Sequence, residues 1–375
     1  MKVAIYVQHL LGSGHLVRAR LLADALYADG SQVTLLSGGA APAGGGYDLV
    51  QLPIIKTLPG DFSTLLDQHD QPVSKSWKAA RAQMLASEME RIAPDVLVVE
   101  TWPFGRRQLE FEILPMLAQQ TRRPKPPMIV CSIRDILQIR KQERRLQTLQ
   151  QLEHFFSLVM VHGDPHLISL QCSFSEYSGI NCPVVYTGYM CGASDADTGG
   201  TEGAGEILVS AGGGAAGFEL LRVAAEASSL DVRPWHLLVG PGIDDSEYQA
   251  FRQRQHSNLK IERNREDFRR LLANCEVSIS QYGYNTALEL FTAGCPAVVV
   301  PYSRDGETEQ AMRAEKFAKK GFCLVLDERR LCTHSLLSAI DHAVEMKPVQ
   351  KKTINLNGAS ESVRLIKAHL QQFRL

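Results

Sequence analysis

The chain has 375 residues, of which 45% are hydrophobic, and a formal net charge of −1. At roughly 150 residues per domain this length predicts two domains, or three, and the composition supplies enough apolar residues for two cores. A nearly balanced charge gives no electrostatic reason to expect nucleic acid as a partner.

The sequence shows no sign of membrane insertion or export. No apolar run reaches the roughly 18 residues that a transmembrane helix needs. The N-terminal residues MKVAIYVQHL lack the basic segment, the longer apolar segment and the cleavage site of a signal peptide. We therefore expect a cytoplasmic protein without a transmembrane segment.

The eight cysteines are scattered along the chain without any C-x-x-C pair. Such spacing predicts neither a zinc site nor a disulfide framework. We expect no metal and no other cofactor.

The first predicted strand, Lys2–Val7, leads into Gly12, Ser13 and Gly14 and then into a helix over residues 16–28. A dinucleotide fingerprint, G-x-G-x-x-G, would need a third glycine where Val17 stands. No acidic residue follows the next strand, near residues 32–36, to bind a ribose. NAD is therefore disfavoured.

His15 falls in the first turn of this helix. The positive end of the helix dipole disfavours the imidazolium form, and a neutral histidine can act as a general base near neutral pH. The alternative is a histidine that only caps or packs the helix. Arg18, one turn later, is a candidate contact for an acceptor or a phosphate, or a plain surface residue.

Further strands are predicted at residues 32–36, 48–52, 95–99, 128–132 and 158–161, with helical patterns between several of them. This alternation indicates βαβ units and a parallel sheet. Residues 53–73 are loop-like and are either an acceptor-facing loop or an ordinary insertion.

Polar residues follow two of these strands, where parallel sheets bind ligands. Glu100 and Asp135 are alternative general bases, and Arg106, Arg107 and Arg134 are candidate contacts for an anionic acceptor. Structural ion pairs among the same residues are the competing interpretation.

Residues 189–205 are rich in Gly, Ala, Asp and Thr without periodicity, which predicts a domain boundary. A strand over residues 206–210 then enters a run that contains Gly212, Gly213 and Gly214, followed by a helix. Successive glycines let backbone N–H groups approach a ligand, and a helix N-terminus favours negative charge.

Residues 280–321 form the most informative stretch of the chain. A strand at Val277–Ser280 meets Gly283 and a helix over residues 284–293, which Gly294 ends; a second strand over residues 296–301 follows. Asn285 and Glu289 are four residues apart and share one helix face, with a rise of roughly 6 Å. A phosphate at the helix N-terminus, near Asn285 and Thr286, and a ribose at Glu289 would fit that spacing.

This stretch, GYNTALELFTAGCPAVVVPYSRDGETEQAMRAEKFAKKG, resembles the nucleotide-sugar signature of GT-B glycosyltransferases, in particular the family 28-like peptidoglycan N-acetylglucosaminyltransferases. Glu289 matches the ribose-binding carboxylate of that signature, and Gln310 matches its sugar-contacting glutamine. Glu309 stands where the signature has another glutamine, and Tyr282 replaces a small residue before Gly283. Both differences affect the expected contacts with the donor.

The resemblance implies roles for other residues. The run G-x-G-H-x-x-R, formed by Gly12, Gly14, His15 and Arg18, resembles the first loop of these enzymes and of related sugar-nucleotide hydrolases, in which the histidine faces the cleft. The loop at Gly213 and Gly214 would face the donor diphosphate, and Asn264 and Phe268 would lie near the nucleotide base.

The resemblance also implies an α/β fold of the GT-B type, with two Rossmann-like domains whose parallel sheets face each other across a cleft. The expected division is an acceptor-binding domain over residues 1–190, a linker over 191–205, a nucleotide-sugar-binding domain over 206–356 and a helix over 357–375 that crosses back to the first domain.

The expected function is metal-independent transfer of a sugar from a nucleotide diphosphate sugar, UDP-linked, to the hydroxyl group of an unidentified acceptor, a small molecule or a glycan. A D-x-D pattern at Asp195 and Asp197 lies in the predicted linker and not at a strand end. A sugar-nucleotide hydrolase that uses the same histidine and a non-catalytic nucleotide-sugar-binding subunit are the alternatives.

Overall fold

A computed structural model of the protein describes residues 1–10, 14–42, 44–58, 61–192, 200–211, 217–304, 306–346 and 354–374. The chain divides into two compact units. The first comprises Met1–Gly192 together with Ile354–Leu375, and the second comprises Ala193–Thr353. We call them the N-unit and the C-unit.

The N-unit is built on a parallel sheet of seven strands in the order β3-β2-β1-β6-β7-β8-β9. Its strands are β1 (Lys2–Val7), β2 (Gln32–Ser37), β3 (Asp48–Gln51), β6 (Val96–Glu100), β7 (Met128–Arg134), β8 (Leu158–His162) and β9 (Val184–Tyr186). The central strands are buried along their length because helices cover both faces, as their continuous apolar runs predict.

The helices of the N-unit are α1 (Gly14–Ala28), α2 (Lys75–Ile92), α3 (Glu110–Thr121), α4 (Gln142–Phe155) and, from the end of the chain, α11 (Gly358–Phe373). Helix α11 packs against α1 and β8, where Val363, Ile366 and Leu370 join the core on that face of the sheet. The C-terminal helix is therefore part of the N-unit.

The segment over residues 53–73, predicted to be loop-like, contains an antiparallel hairpin of β4 (Lys56–Leu58) and β5 (Asp61–Leu66). Pro59 and Gly60, which suggested a loop, lie outside the described residues. The hairpin forms because Thr57, Leu65 and Leu66 are buried.

The C-unit is built on a second parallel sheet, in the order β12-β11-β10-β13-β14-β15. Its strands are β10 (Ile207–Ser210), β11 (Trp235–Val239), β12 (Leu259–Arg263), β13 (Val277–Ser280), β14 (Ala297–Val299) and β15 (Leu324–Val325). Its helices are α5 (Phe218–Ser228), α6 (Asp245–Arg252), α7 (Phe268–Asn274), α8 (Tyr284–Ala293), α9 (Glu309–Ala318) and α10 (Thr333–Glu345).

Each sheet has a point where the strand order reverses direction. In the N-unit this point lies between β1 and β6, and in the C-unit between β10 and β13. Ligands of open α/β sheets bind beyond the carboxyl ends of the strands at such points. The two sheets confirm the predicted α/β class with two Rossmann-like domains and indicate where each unit presents a site.

Among the helices of the described residues, none is long and apolar enough to cross a membrane. The eight cysteines are free thiols. In the part of the chain that the structure describes, no cluster of three or more His, Cys, Asp or Glu residues could hold a metal ion.

Candidate functional site

His15 and Glu100 meet at the strand-order reversal of the N-unit. His15 lies in the first turn of α1, which follows β1, and Glu100 is the last residue of the adjacent strand β6. The Nδ1 atom of His15 is 2.9 Å from both carboxylate oxygens of Glu100. Two residues that are 85 positions apart in the sequence therefore form a pair at the expected ligand-binding edge.

Two further side chains hold the Glu100 carboxylate. The Arg18 guanidinium donates to its Oε1 atom, and the Thr101 hydroxyl donates to Oε2 at 2.7 Å. Arg18 and Glu100 are almost completely buried, with 3% and 2% of their side chains exposed. Glu100 is thus fixed in place and its charge is balanced within the N-unit.

The electrostatics keep His15 neutral and Glu100 ionised at neutral pH. Burial lowers the pKa of His15 to about 4, although the Glu100 carboxylate pulls that pKa upward. Burial alone would raise the pKa of Glu100, but the hydrogen bonds from His15 and Thr101 and the charge of Arg18 outweigh it and hold the pKa of that carboxyl well below its usual range. The dipole of α1 acts in the same direction on His15.

This pair is suited to general-base chemistry. Because an ionised carboxylate only accepts hydrogen bonds, the bond to Glu100 assigns the imidazole proton to Nδ1. The Nε2 atom then carries the lone pair that can accept a proton from a hydroxyl group. A carboxylate that orients a histidine in this way also stabilises the imidazolium that forms during the proton transfer.

Three sequence predictions change in the light of these contacts. Glu100 is the partner of His15 and not an alternative base. Arg18 is a buried ion-pair partner and not a surface residue. Asp135 is completely buried, where its Oδ1 accepts a hydrogen bond from the Ile136 amide at 2.9 Å, so it is not accessible to act as a base.

Arg106 and Arg134 lie at the same edge of the N-unit sheet. Arg134 is the last residue of β7, and Arg106 follows β6 in a left-handed backbone conformation with φ of 63°. Both arginines are half-buried. Arg107, next to Arg106, instead contacts Glu110 at 3.5 Å and lies outside this group.

In the C-unit the predicted strand Val277–Ser280 and the helix over residues 284–293 are confirmed as β13 and α8. Gly294 ends α8 with φ of 70°, as predicted from its identity. Gly283 occupies the N-cap position, and a Cβ atom built on it would have no heavy atom of the described residues within 4 Å. The N-terminus of α8, with the half-buried Asn285 and Thr286, is therefore open to a ligand.

Gln310 holds the loops that follow β13 and β14. Its Oε1 atom accepts hydrogen bonds from the backbone amides of Tyr282 at 3.0 Å and Tyr302 at 3.2 Å. Within the described residues no acceptor is recorded for its Nε2 group. Gln310 thus supports the loop at the N-terminus of α8 while its amide nitrogen remains able to donate to a ligand.

Glu309 and Tyr282, two of the predicted donor contacts, have their side chains in the core of the C-unit. Glu309 is 5% exposed and pairs with the fully buried Arg313 at 2.8 Å. The Tyr282 ring is 1% exposed and packs edge-on against Phe317. Arg313 also donates to the Tyr282 carbonyl at 3.2 Å. Both predictions of direct side-chain contact are therefore replaced by supporting roles.

Glu289 lies one turn beyond Asn285 on α8, with a quarter of its side chain exposed. Burial raises the pKa of its carboxyl, and Arg269, whose Nε atom is 3.8 Å from Oε1, acts in the opposite direction. Asn264 is exposed directly after β12, and the half-buried Phe268 begins α7, which packs against α8. These side chains are accessible to a ligand of the C-unit.

Several predicted residues lie outside the described part of the chain. They are Gly12 of the first loop, Gly213 and Gly214 of the glycine run, and Asp195 and Asp197 of the linker. Gly14 is described and is the first residue of α1.

Two functional residues are not among the sequence predictions. Arg313 lies four residues after Glu309 on one helix, a spacing at which opposite charges pair, so the pattern could have indicated it. Thr101 directly follows Glu100, but nothing in the sequence indicates that its hydroxyl bonds to the preceding side chain.

One stretch of the chain, most of the C-unit together with part of α11, matches a known family of domains. Residues 207–370 match the Glycosyltransferase family 28 C-terminal domain. This range includes α8, Glu289 and Gln310.

Curated relatives match over a shorter stretch. The chain is 30% identical over 102 residues to the UDP-N-acetylglucosamine--N-acetylmuramyl-(pentapeptide) pyrophosphoryl-undecaprenol N-acetylglucosamine transferase of Geobacillus thermodenitrificans. The aligned stretch covers 27% of this chain and 29% of that protein. It is 30% identical over 119 residues to the transferase of the same name from Staphylococcus aureus, 32% of this chain and 31% of that protein. The matched region spans less than a third of the length of these relatives.

Solved structures match over nearly the whole chain. The Acinetobacter baumannii MurG structure superposes with a TM-score of 0.61 at 17% identity, covering 98% of this chain and all of that one. A calicheamicin glycosyltransferase superposes with a TM-score of 0.59 at 15% identity, covering 99% of this chain and 94% of that one. At this level of identity the likeness shows the fold, which is the predicted GT-B fold.

Proposed function

We propose that this chain, which has the GT-B fold and resembles the peptidoglycan N-acetylglucosaminyltransferases, transfers a sugar from a nucleotide diphosphate sugar to an acceptor hydroxyl group. The observation that carries the proposal is the neutral His15, held by the ionised Glu100 at 2.9 Å, in a chain whose residues 207–370 match a family 28 C-terminal domain. A protein that only binds nucleotide sugars has no need of such a base.

In the proposed reaction the acceptor hydroxyl gives its proton to Nε2 of His15. The acceptor oxygen forms a bond to the anomeric carbon of the donor sugar, and the bond from that carbon to the diphosphate oxygen breaks. The nucleoside diphosphate leaves with the electron pair of that bond. Glu100 stabilises the imidazolium until its proton is released.

The C-unit is proposed to hold the donor. The N–H groups at the N-terminus of α8 would meet the departing diphosphate, so that the helix takes the part that a divalent cation has in metal-dependent transferases. The Glu289 carboxylate would accept hydrogen bonds from the ribose hydroxyls, and the Nε2 group of Gln310 would donate to a sugar hydroxyl. Asn264 and Phe268 are proposed to lie near the base. The printed names of the relatives favour a UDP-linked donor.

A titration of UDP into the purified chain tests the donor site. We expect saturable binding that the substitution Glu289→Gln weakens by roughly tenfold, because an amide replaces a charged acceptor of two hydroxyl groups. Loss of the Arg269 contact contributes little, since that pair is long and partly exposed.

Glu315→Gln is the matched control, because Glu315 is an exposed glutamate of α9 whose partner is the exposed Lys319. Absence of UDP binding to the unmodified chain, or equal affinity in E289Q and E315Q, would overturn the donor assignment. Product analysis then separates transfer from hydrolysis, since a hydrolase releases free sugar from the nucleotide sugar without an acceptor.

A further inference from the structure

Arg106 is a partly buried cation whose guanidinium has no counter-ion in the described residues. No hydrogen bond or ion pair to this side chain is recorded there, and its Nε atom is buried without a partner. Burial, the largest influence, lowers the pKa of Arg106. Buried polar groups are almost always paired in native proteins, so one that is unpaired among the described residues favours a bound anion as its partner.

The charges around Arg106 leave an excess of positive charge. Arg18 and Arg134 both act on Arg106 electrostatically, and Glu100 is the carboxylate that opposes them. Glu100 is already bonded to His15, Arg18 and Thr101. The local field therefore favours an additional anion beside Arg106.

His9 adds a second unpaired atom to the same edge. It follows β1, and Gly39 leaves room for its ring, because a Cβ atom on Gly39 would lie 2.4 Å from Cε1 of His9. Its Nδ1 atom is buried without a partner among the described residues. In the neutral tautomer that carries its proton on Nε2, Nδ1 can accept a hydrogen bond from a hydroxyl group.

These groups lie at the carboxyl ends of three neighbouring strands. His9 follows β1, Arg106 follows β6, and Arg134 ends β7. The same edge carries His15 and Glu100. The left-handed backbone at Arg106, uncommon for a residue with a Cβ atom, is typical of positions where function requires a particular side-chain direction.

We propose that the N-unit binds an acceptor that carries both an anionic group, carboxylate or phosphate, and a hydroxyl group. The Arg106 guanidinium binds the anion and His9 accepts from a hydroxyl group of the same molecule. The inference rests on the transfer reaction proposed above, because it places this anion beside the base that would deprotonate the acceptor. An arginine suits the task because its planar fork matches a carboxylate or a phosphate.

Binding of small anions tests the proposal without any sugar transfer. The probes are inorganic phosphate and glycolate, titrated calorimetrically into the full chain with UDP present to occupy the C-unit and with chloride at matched ionic strength. We expect saturable binding of at least one probe to the unmodified chain. The probe that binds more tightly indicates whether the anionic group of the natural acceptor is a phosphate or a carboxylate.

Arg106→Gln should weaken that binding by tenfold or more, whereas Arg107→Gln should leave it unchanged, because Arg107 contacts Glu110. Without added anion, R106Q should unfold at the same temperature as the unmodified chain or at a higher one. The substitution removes the poorly solvated charge of the guanidinium and leaves the left-handed backbone at position 106 as it is. A purely structural Arg106 predicts the opposite shift. If R106Q does not fold, anion binding is compared between R106K and R107Q instead, because lysine keeps the charge but lacks the planar guanidinium.

Saturable binding of neither probe, or equal binding to R106Q and R107Q, would overturn the proposal. The outcome is independent of the donor experiment. Loss of anion binding in R106Q together with absent UDP binding would contradict the proposed transferase while leaving the anion site standing. Saturable UDP binding together with equal anion binding by R106Q and R107Q would keep the proposed transferase and overturn the anionic acceptor.

Discussion

The two units offer their ligand-binding edges in different ways. In the N-unit the edge consists of charged side chains that bind one another, with Glu100 contacted by His15, Arg18 and Thr101. In the C-unit the corresponding edge consists largely of backbone at the N-terminus of α8. Two side chains of α9, those of Gln310 and Arg313, form hydrogen bonds to the backbone of Tyr282 just before this helix.

Because one site consists of side chains and the other of backbone, we expect substitutions in the two units to have different effects. A side chain that takes part in the chemistry can be removed without disturbing donor binding, so changes at the N-unit edge should lower the rate and spare nucleotide affinity. A backbone site has no side chain to remove. It can be altered only through the side chains that hold the backbone in place, so substitutions in α9 should lower nucleotide affinity and protein stability together.

His15→Ala should have the largest effect. Loss of a general base lowers kcat by about 10²- to 10⁴-fold, while UDP affinity should stay unchanged because the C-unit is untouched. The measurement is a pair of assays, one for turnover of a UDP-sugar and one for UDP binding. His69→Ala, at an exposed histidine of the same unit, is the control.

The pH profile of the unmodified enzyme adds an independent readout. A base is active when deprotonated, so the rate should fall on acidification through the pKa of His15, which lies at about 4. An unperturbed histidine would give that fall near pH 6.5. Turnover of H15A close to that of the unmodified chain would contradict the assignment, whereas an acid limb near pH 6.5 would show that burial does not lower the pKa of the base.

Arg313→Gln should damage the C-unit through its support. It breaks the buried ion pair between Arg313 and Glu309, which costs about 3–5 kcal/mol of unfolding free energy. It also removes the donor to the Tyr282 carbonyl, so UDP affinity should fall roughly tenfold. Denaturant unfolding and UDP titration measure the two effects.

The same helix provides a matched control in Lys319→Gln. Lys319 and Glu315 have the same spacing as Arg313 and Glu309 but are 66% and 62% exposed. Removing an exposed pair of this kind costs under about 0.5 kcal/mol. If R313Q were no less stable than K319Q and bound UDP equally well, the support role would be wrong.

Local signals in the sequence were sufficient for the framework of the C-unit site. The bounds of α8 agree with the prediction because a glycine marks each end, Gly283 as N-cap and Gly294 in the left-handed conformation. The predicted strand before α8 is equally local, a short apolar run. Such features depend on neighbouring residues alone, which is why a single sequence contains them.

Pairings across the fold could not be predicted in the same way. His15 and Glu100 meet because β1 and β6 are adjacent in the sheet, and strand order is not contained in either motif. Side-chain direction was equally inaccessible. Glu309 and Gln310 are adjacent polar residues, yet Glu309 faces Arg313 in the core while Gln310 faces the loops after β13 and β14.

Gly283→Ala should have the smallest effect on stability and gives the sharpest test of the backbone site. Gly283 has φ of −63°, which alanine adopts freely, and the added Cβ atom would meet no atom within 4 Å in the part of the chain that the structure describes. The entropic gain and the weaker N-cap offset each other, so stability should change by less than about 1 kcal/mol.

If a diphosphate binds at the N-terminus of α8, the added methyl group occupies space that the ligand needs, and UDP affinity should fall severalfold. Thermal unfolding and UDP titration of G283A measure the two quantities separately. Unchanged affinity in a fully folded G283A protein would place the phosphates elsewhere on the C-unit, because a methyl group at the N-cap would then not meet the ligand.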